Sequence, residues 1–253
     1  MKSDFPQNGG KVLGVMKGGI GDNLMIANLC SPLCDFTFAV DDYQVGLINR
    51  ITGCTAVPLH DFRDVRNHMA YDAVVNFSYF LTSGAALKTG GYYDIIAKKI
   101  AHPSGTDLAG FDVPQVPTGG IYVHLQASNP NRDWIRSGWE EVLPQLMKLD
   151  EVFILGAKGD YRPEIKGLNF LADESADLEF QLEKMSTAKC FVGVDSGFCH
   201  MAGILGVQGT VLFTNTLAND VIHRYSSLTG IDGFDGNEPS RSLKVPCLSL
   251  IHI

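Results

Sequence analysis

The sequence lacks several features that would place it in a class at once. No apolar run approaches the roughly 18 residues of a membrane span, and the start, "MKSDFPQNGG", has no apolar signal core. Basic residues are outnumbered, since 20 Lys and Arg stand against 28 Asp and Glu, giving a net charge of -8. This balance argues against a general affinity for nucleic acid or an anionic membrane surface. We therefore expect a cytoplasmic protein that holds any anionic ligand through a few local groups.

The cysteines form neither a CxxC pair nor a Cys/His pattern with zinc-site spacing. We therefore expect reduced, mostly buried thiols and no metal site. The six residues are Cys30, Cys34, Cys54, Cys190, Cys199 and Cys247.

What is present is an alternation of short apolar runs with helical segments, which is typical of a parallel α/β sheet. In the first half the runs are "KVLGVM", "FTFAV", "TAVPL" and "AVVNF". A stretch rich in proline and glycine, "FDVPQVPTGG" at residues 111–120, indicates a linker, and the pattern restarts after it with predicted strands that include "EVFILGA" and "LNFLAD". We predict two doubly wound domains, residues 1–118 and 119–253, with a cleft between the carboxyl ends of their strands.

The stretch "KGGIGDNLM" follows the first predicted strand and supplies Gly18, Gly19 and Gly21. Such glycines can take positive φ and allow a ligand to approach the backbone, and Asp22 would lie at the mouth of a helix beginning near Asn23. A dinucleotide GxGxxG motif fails because position 24 is Leu24, and the GK[ST] of a P-loop is absent, which disfavours a dinucleotide-dependent epimerase or reductase. On residue type alone, Asp22 is either a helix N-cap or a catalytic carboxylate.

A second loop of interest lies in "FVGVDSGFCHMAGILGVQGTVLF", residues 191–213. A buried strand ends at Asp195, and Ser196 and Gly197 open a helix whose free amides and dipole suit a diphosphate. The alternative is an ordinary strand-to-helix turn with a polar cap and His200 packed inside. A nucleophilic Cys199–His200–Asp195 triad is disfavoured, because adjacent helical side chains point about 100° apart.

Three motifs together resemble glycosyltransferase family 9, the ADP-heptose:lipopolysaccharide heptosyltransferases and their relatives. "VGVDSGFCHMAGILGV" is similar to the family signature of a strand, Asp-Ser/Thr-Gly and a later His. "HLQASNPNRDWIRSGWEEVLPQL" resembles the family segment with a basic residue before the first of two tryptophans. "GGIGDNLM" is similar to the family's first loop, and the three motifs occur in the family's order.

The resemblance implies a GT-B fold, with an abbreviated acceptor-side domain at residues 1–118 and a nucleotide-sugar domain at 119–253. It implies inverting, metal-independent transfer of a sugar, heptose or related, from a nucleotide sugar to a glycan such as the lipopolysaccharide core. No cofactor is expected, and peripheral contact with the inner membrane is a further expectation. Asp22 would be the base, and the donor diphosphate would meet Arg132, Asp195, Ser196, Gly197 and His200. A catalytically degenerate sugar-nucleotide-binding protein is the alternative.

The chain departs from the family pattern in two of these regions. Arg132 stands where the family usually has Lys, which keeps the charge and changes its geometry. After "TVLF" the family commonly continues Gly-Pro-Thr, whereas this chain reads "TNTLANDVIHRYSS", so the donor's base is open. The chain ends in "CLSLIHI", of which "LSLIHI" matches one reading frame of a common sequencing adaptor, and we expect the natural protein to continue; a short last strand is the alternative.

Overall fold

The computed structural model describes residues 9–62, 65–78 and 119–233. The chain divides into two compact units, residues 1–111 and 112–253, and each contains a parallel sheet with helical connections. The α/β class predicted from the sequence is confirmed, and the short chain fits an abbreviated first domain. The boundary at residue 118 stays a prediction, because residues 111–118 lie outside the described residues, as does the "CLSLIHI" segment.

In the first unit, the described residues form four parallel strands in the order β3-β2-β1-β4, and all four correspond to apolar runs predicted as strands. Strand β1 pairs with β2 on one side and with β4 on the other, so the chain order reverses next to it. The loop that leaves β1 therefore lies at a topological switch point, where α/β sheets commonly bind ligands. The elements are β1 Lys11–Val15, α1 Ile20–Cys30, β2 Asp35–Val40, α2 Asp42–Ile51, β3 Thr55–Pro58 and β4 Ala73–Asn76, with 3₁₀ turns at Leu59–Phe62 and Val65–Ala70.

Within residues 119–233, the second unit has six parallel strands in the order β10-β9-β8-β5-β6-β7. Here the order reverses between β5 and β8, which pair directly. The loops after these two strands carry the segments around Arg132 and Ser196. The elements are β5 Ile121–His124, α3 Arg136–Leu146, β6 Val152–Leu155, β7 Asn169–Phe170, α4 Leu171–Glu174, α5 Leu178–Met185, β8 Cys190–Val194, α6 Gly197–Ile204, β9 Gly209–Phe213, α7 Ala218–Val221 and β10 Leu228–Asp232, with a 3₁₀ turn at Pro130–Arg132.

The sequence reading of this sheet was wrong in two places. "LNFLAD" was predicted to be a strand, but β7 is two residues long and the chain turns helical at Leu171. Strand β10 was not predicted, because its sequence "LTGID" is neither apolar throughout nor alternating, and it is only partly buried at the sheet's edge.

The two tryptophans are packing anchors in the core of the second unit. Trp134 and Trp139 meet edge to face with ring centroids 5.0 Å apart, and both are buried. The indole Nε1 of Trp139 donates to the backbone oxygen of Leu125 at 3.1 Å. A side chain at Gly138 would collide with the Trp134 ring, so this glycine permits the close approach of α3. The packing fixes the loop between β5 and α3, which carries Arg132.

Candidate functional site

The glycine loop of the first unit differs in detail from its sequence reading. Helix α1 begins at Ile20, three residues before the predicted start, and its N-cap is Gly19, with φ -64°. Glycines 18, 19 and 21 are all absent from the residues with positive φ, so the expectation of left-handed backbone was wrong. The loop needs no such residue because the chain passes from extended into helical backbone directly.

Asp22 is therefore not an N-cap, since it is the third residue of α1. It is half-buried, and its Oδ2 atom lies 3.4 Å from where a Cβ of Gly19 would be. A carboxylate in the first turn interacts favourably with the helix dipole. Gly19, beside this carboxylate, is exposed, whereas the Met16 side chain fills the space in which a Cβ at Gly18 would lie.

In the second unit, Ser196 is the N-cap residue of α6, yet its side chain makes no capping hydrogen bond. Its Oγ instead lies 2.8 Å from Nδ1 of His124, the last residue of β5. Both residues are buried, and the imidazole also contacts the ring of Phe198, with centroids 4.4 Å apart. The serine hydroxyl thus faces β5. The N-terminal amides of α6, which begins at Gly197, are not capped by the Ser196 side chain.

Burial lowers the pKa of His124 to about 3, so the imidazole is neutral at physiological pH. A neutral imidazole can either donate to or accept from the serine hydroxyl, depending on its tautomer. Sequence reasoning missed His124; the available signal was a polar residue in the otherwise apolar strand "IYVHL".

An ion pair joins the loops that follow β5 and β8. Nη1 of Arg132 lies 3.6 Å from Oδ1 of Asp195, and the arginine side chain is 38% exposed while that of Asp195 is 4% exposed. The other carboxylate oxygen, Oδ2, accepts a hydrogen bond from the Thr216 hydroxyl at 2.7 Å. A buried carboxylate thus anchors a guanidinium that keeps access to solvent, an arrangement suited to receiving an anion.

The residues that stand in place of the family's Gly-Pro-Thr make structural contacts. The Thr214 hydroxyl is buried and donates to the backbone oxygen of Asn131 at 2.9 Å, which ties the end of β9 to the turn that carries Arg132. Thr216 occupies the third position of the motif and binds Asp195. Sequence reasoning missed both contacts. For the contact between Thr216 and Asp195, the available signal was that the motif's threonine is present at position 216.

His200 is buried and packs one turn into α6, with its Nδ1 atom 3.1 Å from the Tyr225 hydroxyl. Burial lowers its pKa to about 4, although the neighbouring Asp195 partly opposes this shift. His200 is therefore a buried, neutral side chain that contacts Tyr225.

Cys199 and His200, which are adjacent in α6, lie near Asp195. Potential metal-ligating atoms of Asp195, Cys199 and His200 lie within 4.8 Å of one another. Burial raises the pKa of the Cys199 thiol far above its usual value, so a free thiolate nucleophile is disfavoured. Arg132, beside Asp195, further opposes a second cation there.

Asp160, in the loop after β6, folds back on its own loop. Its Oδ2 accepts from the backbone amide of Ala157 at 2.7 Å. Gly156 precedes this turn with φ +140° and is held at both backbone polar atoms by the Gln181 amide, at 2.8 Å each. The concave surface after β6 is lined in part by Asp160, Tyr161 and Arg162.

The predicted site residues thus fall into two groups. Gly18, Gly19, Gly21 and Asp22 lie at the switch point of the first unit. The second unit brings together the residues proposed to bind the donor, which are Arg132, Asp195, Ser196, Gly197 and His200. Within the described ranges, no helix is both long enough and apolar enough to span a bilayer.

Comparison with known proteins finds similarity at the level of structure. No protein-family model matches the sequence, and no curated protein does. Among solved structures, Escherichia coli ADP-heptose lipopolysaccharide heptosyltransferase II aligns with TM-score 0.64 and 15% identity, covering 90% of this chain and 92% of that chain. A family 9 glycosyltransferase from Veillonella parvula aligns with TM-score 0.66 and 12% identity, covering 91% and 88%.

A third similar structure is TibC, an iron-containing dodecameric glycosyltransferase from enterotoxigenic E. coli. It aligns with TM-score 0.62 and 14% identity, covering 85% of this chain but only 63% of that chain. The fold of this chain is therefore that of the family 9 heptosyltransferases, as the sequence motifs predicted.

Proposed function

We propose that this protein is an inverting, metal-independent glycosyltransferase. It moves a sugar, heptose or related, from a nucleotide sugar to a saccharide acceptor such as the lipopolysaccharide core. The observation that carries this proposal is the anion site of the second unit, where the start of α6, at Ser196 and Gly197, lies beside the Arg132–Asp195 pair. The similar E. coli enzyme is named for ADP-heptose, which makes this nucleotide sugar the first donor to test.

The chemistry needs a group that neutralises the departing nucleoside diphosphate. The half-exposed Arg132 guanidinium and the N-terminal amides of α6 are suited to this task, because both interact favourably with a diphosphate. The same arginine balances Asp195, which supports transfer without a metal at this cluster.

The acceptor hydroxyl must lose its proton as it attacks the anomeric carbon. Asp22 is the candidate base because it is half-buried in the first turn of α1, close to the exposed Gly19 at a switch point. Inversion follows if the acceptor oxygen forms its bond to the anomeric carbon on the face opposite the departing diphosphate.

Location and contacts form the remaining part of the proposal. The five cysteines in the described part of the chain are free thiols, which fits the reducing cytoplasm. With a lipopolysaccharide-core acceptor, the enzyme would work in peripheral contact with the inner membrane.

A second candidate is a non-catalytic sugar-nucleotide-binding protein. The observation that favours it is the place of Asp22 in the first turn of α1, where a carboxylate stabilises the helix without any catalytic role.

One experiment separates the two candidates. The protein is incubated with a panel of nucleotide sugars, including ADP-heptose, with and without a heptose-deficient lipopolysaccharide core, and nucleoside diphosphate release is measured. Release that depends on the acceptor, with an α/β anomeric change in the product, supports the transferase. Tight nucleotide-sugar binding without release would support the binding protein.

A further inference from the structure

The glycine loop is held by a residue of the neighbouring helix. Gln44, on α2, is completely buried, and its side chain hydrogen-bonds on both sides of Asp22 along the chain. Its Nε2 donates to the backbone oxygen of Gly18 at 3.0 Å, and its Oε1 accepts from Nδ2 of Asn23 at 2.7 Å. We propose that Gln44 is a positioning residue that fixes the Gly18–Asn23 segment and thereby the Asp22 carboxylate.

The orientation of the Gln44 amide follows from its partners. A backbone oxygen can only accept, so the atom facing Gly18 must be the NH₂ group. Its other hydrogen is directed to the Tyr43 hydroxyl, 2.8 Å away. The amide oxygen is thereby turned toward Asn23, so both hydrogens and the oxygen are used in one arrangement.

The Gln44–Asn23 link is costly in purely structural terms. Asn23 is fully buried, and its Oδ1 has no hydrogen-bond partner within the described residues. Two apolar side chains would fill the same interior without that unsatisfied atom. The hydrogen bonds between the two amides are directional, so they select one geometry of the glycine loop. Apolar packing would tolerate several geometries.

This proposal rests on the proposed function, because Asp22 must be the base for its position to affect the rate. A displacement of about 1 Å can cost up to about 100-fold in rate, so a loosened loop should lower kcat strongly. Donor binding relies on groups of the second unit and should not change. Gln44 does not itself touch a substrate.

The test compares Gln44→Met with Asn49→Ala as a matched control. Methionine has about the length and volume of the glutamine side chain but lacks its amide group. Asn49 lies on the same helix and makes two hydrogen bonds to the backbone of Ala56, away from the glycine loop. With ADP-heptose and a heptose-deficient core, we expect Gln44→Met to lower kcat about tenfold or more with an unchanged donor KM. Asn49→Ala should lower the Tm and leave kcat unchanged.

Repeating the substitution in an Asp22→Asn background separates positioning from general damage. If Gln44 acts through Asp22, Gln44→Met should cause little further loss there. Equal losses in both backgrounds would overturn the positioning role while leaving Asp22 as the base. A silent Asp22→Asn would remove the proposed base and the positioning role with it.

Hydrogen exchange gives a readout that does not need activity. The amides of residues 18–25 should exchange faster in Gln44→Met than in the parent or Asn49→Ala, and equal rates would overturn the proposal. If the parent releases no ADP, the proposed function with this donor fails, and the exchange data still decide whether Gln44 holds the loop. If Gln44→Met does not fold, Asn23→Leu breaks the same link from the other side, and the same outcomes apply.

Discussion

The guanidinium of Arg132 lies 3.6 Å from the carboxylate of Asp195, pairing a half-exposed cation with a buried anion. The buried member is also bound by Thr216, so the carboxylate is fixed from two directions. The Arg132 guanidinium is therefore held by Asp195 through Nη1, while its exposed part is accessible to a diphosphate.

The first prediction concerns donor affinity. Arg132→Ala should weaken the binding of ADP by about 1.5–3 kcal/mol, because it removes a charge-assisted contact to phosphate. Isothermal titration calorimetry measures this change. Lys189→Ala is the control, since Lys189 also forms an ion pair, with Asp150, but immediately precedes β8 rather than following it. Equal affinity of the Arg132 variant and the parent would rule out the assigned contact.

The second prediction tests whether Asp22 is a base. Asp22→Asn should lower kcat by about 10²–10⁴, because the amide cannot accept the proton, while stability falls by only about 0.3–1 kcal/mol from the lost helix-dipole interaction. Transfer rates and thermal melts are measured on the same samples. Glu179→Gln, also in the first turn of a helix, controls for the lost charge. A parent-like rate in Asp22→Asn would show that the carboxylate serves only the helix.

The third prediction concerns the hydroxyl of Ser196. Ser196→Ala should lower the free energy of unfolding by about 1–3 kcal/mol, because it leaves the buried Nδ1 of His124 without this partner. Loss of capping is not the cause, since the side chain makes no cap bond. In a His124→Leu background the same substitution should cost much less. Additive losses, measured by urea unfolding, would contradict this explanation.

The fourth prediction is a loss of stability at mildly acidic pH. His124 and His200 have folded pKa values of about 3 and about 4, below the unfolded value, so the unfolded chain binds more protons as the pH falls below about 6.5. Each histidine should then remove up to about 1.4 kcal/mol per pH unit until its folded pKa is reached. His200→Gln should flatten the dependence of Tm on pH between 6.5 and 5. An unchanged slope would show that His200 can protonate in the fold.

The fifth prediction concerns metals. Dialysis against EDTA should leave transfer unchanged, because the proposed diphosphate contacts are Arg132 and the start of α6. Stoichiometric metal in the purified protein, together with activity that is lost on chelation and restored by metal, would instead assign an ion to Asp195, Cys199 and His200.

The sequence by itself determined the parallel α/β class, because short apolar strands alternating with helices can bury their surfaces only in a covered sheet. It also located the two loops, since both glycine–Asp segments follow buried strands directly. Periodicity could not detect β10, which pairs with β9 at the sheet's edge with only partial burial. Nor could it place the start of α1, because the hydrogen bonds of the first turn, not residue type, decide where a helix begins.

Only the tertiary structure decided which distant side chains meet. His124 and Ser196 lie 72 positions apart, and Thr214 and Asn131 lie 83 apart, yet each pair forms one hydrogen bond because the parallel strands of one sheet bring their carboxyl ends to the same edge. The role of Gln44 could not be predicted from the sequence either, because a glutamine in an amphipathic helix is typical of a surface residue. Its burial, and its bonds around Asp22, arise from the packing of α2 against α1, which no local pattern encodes.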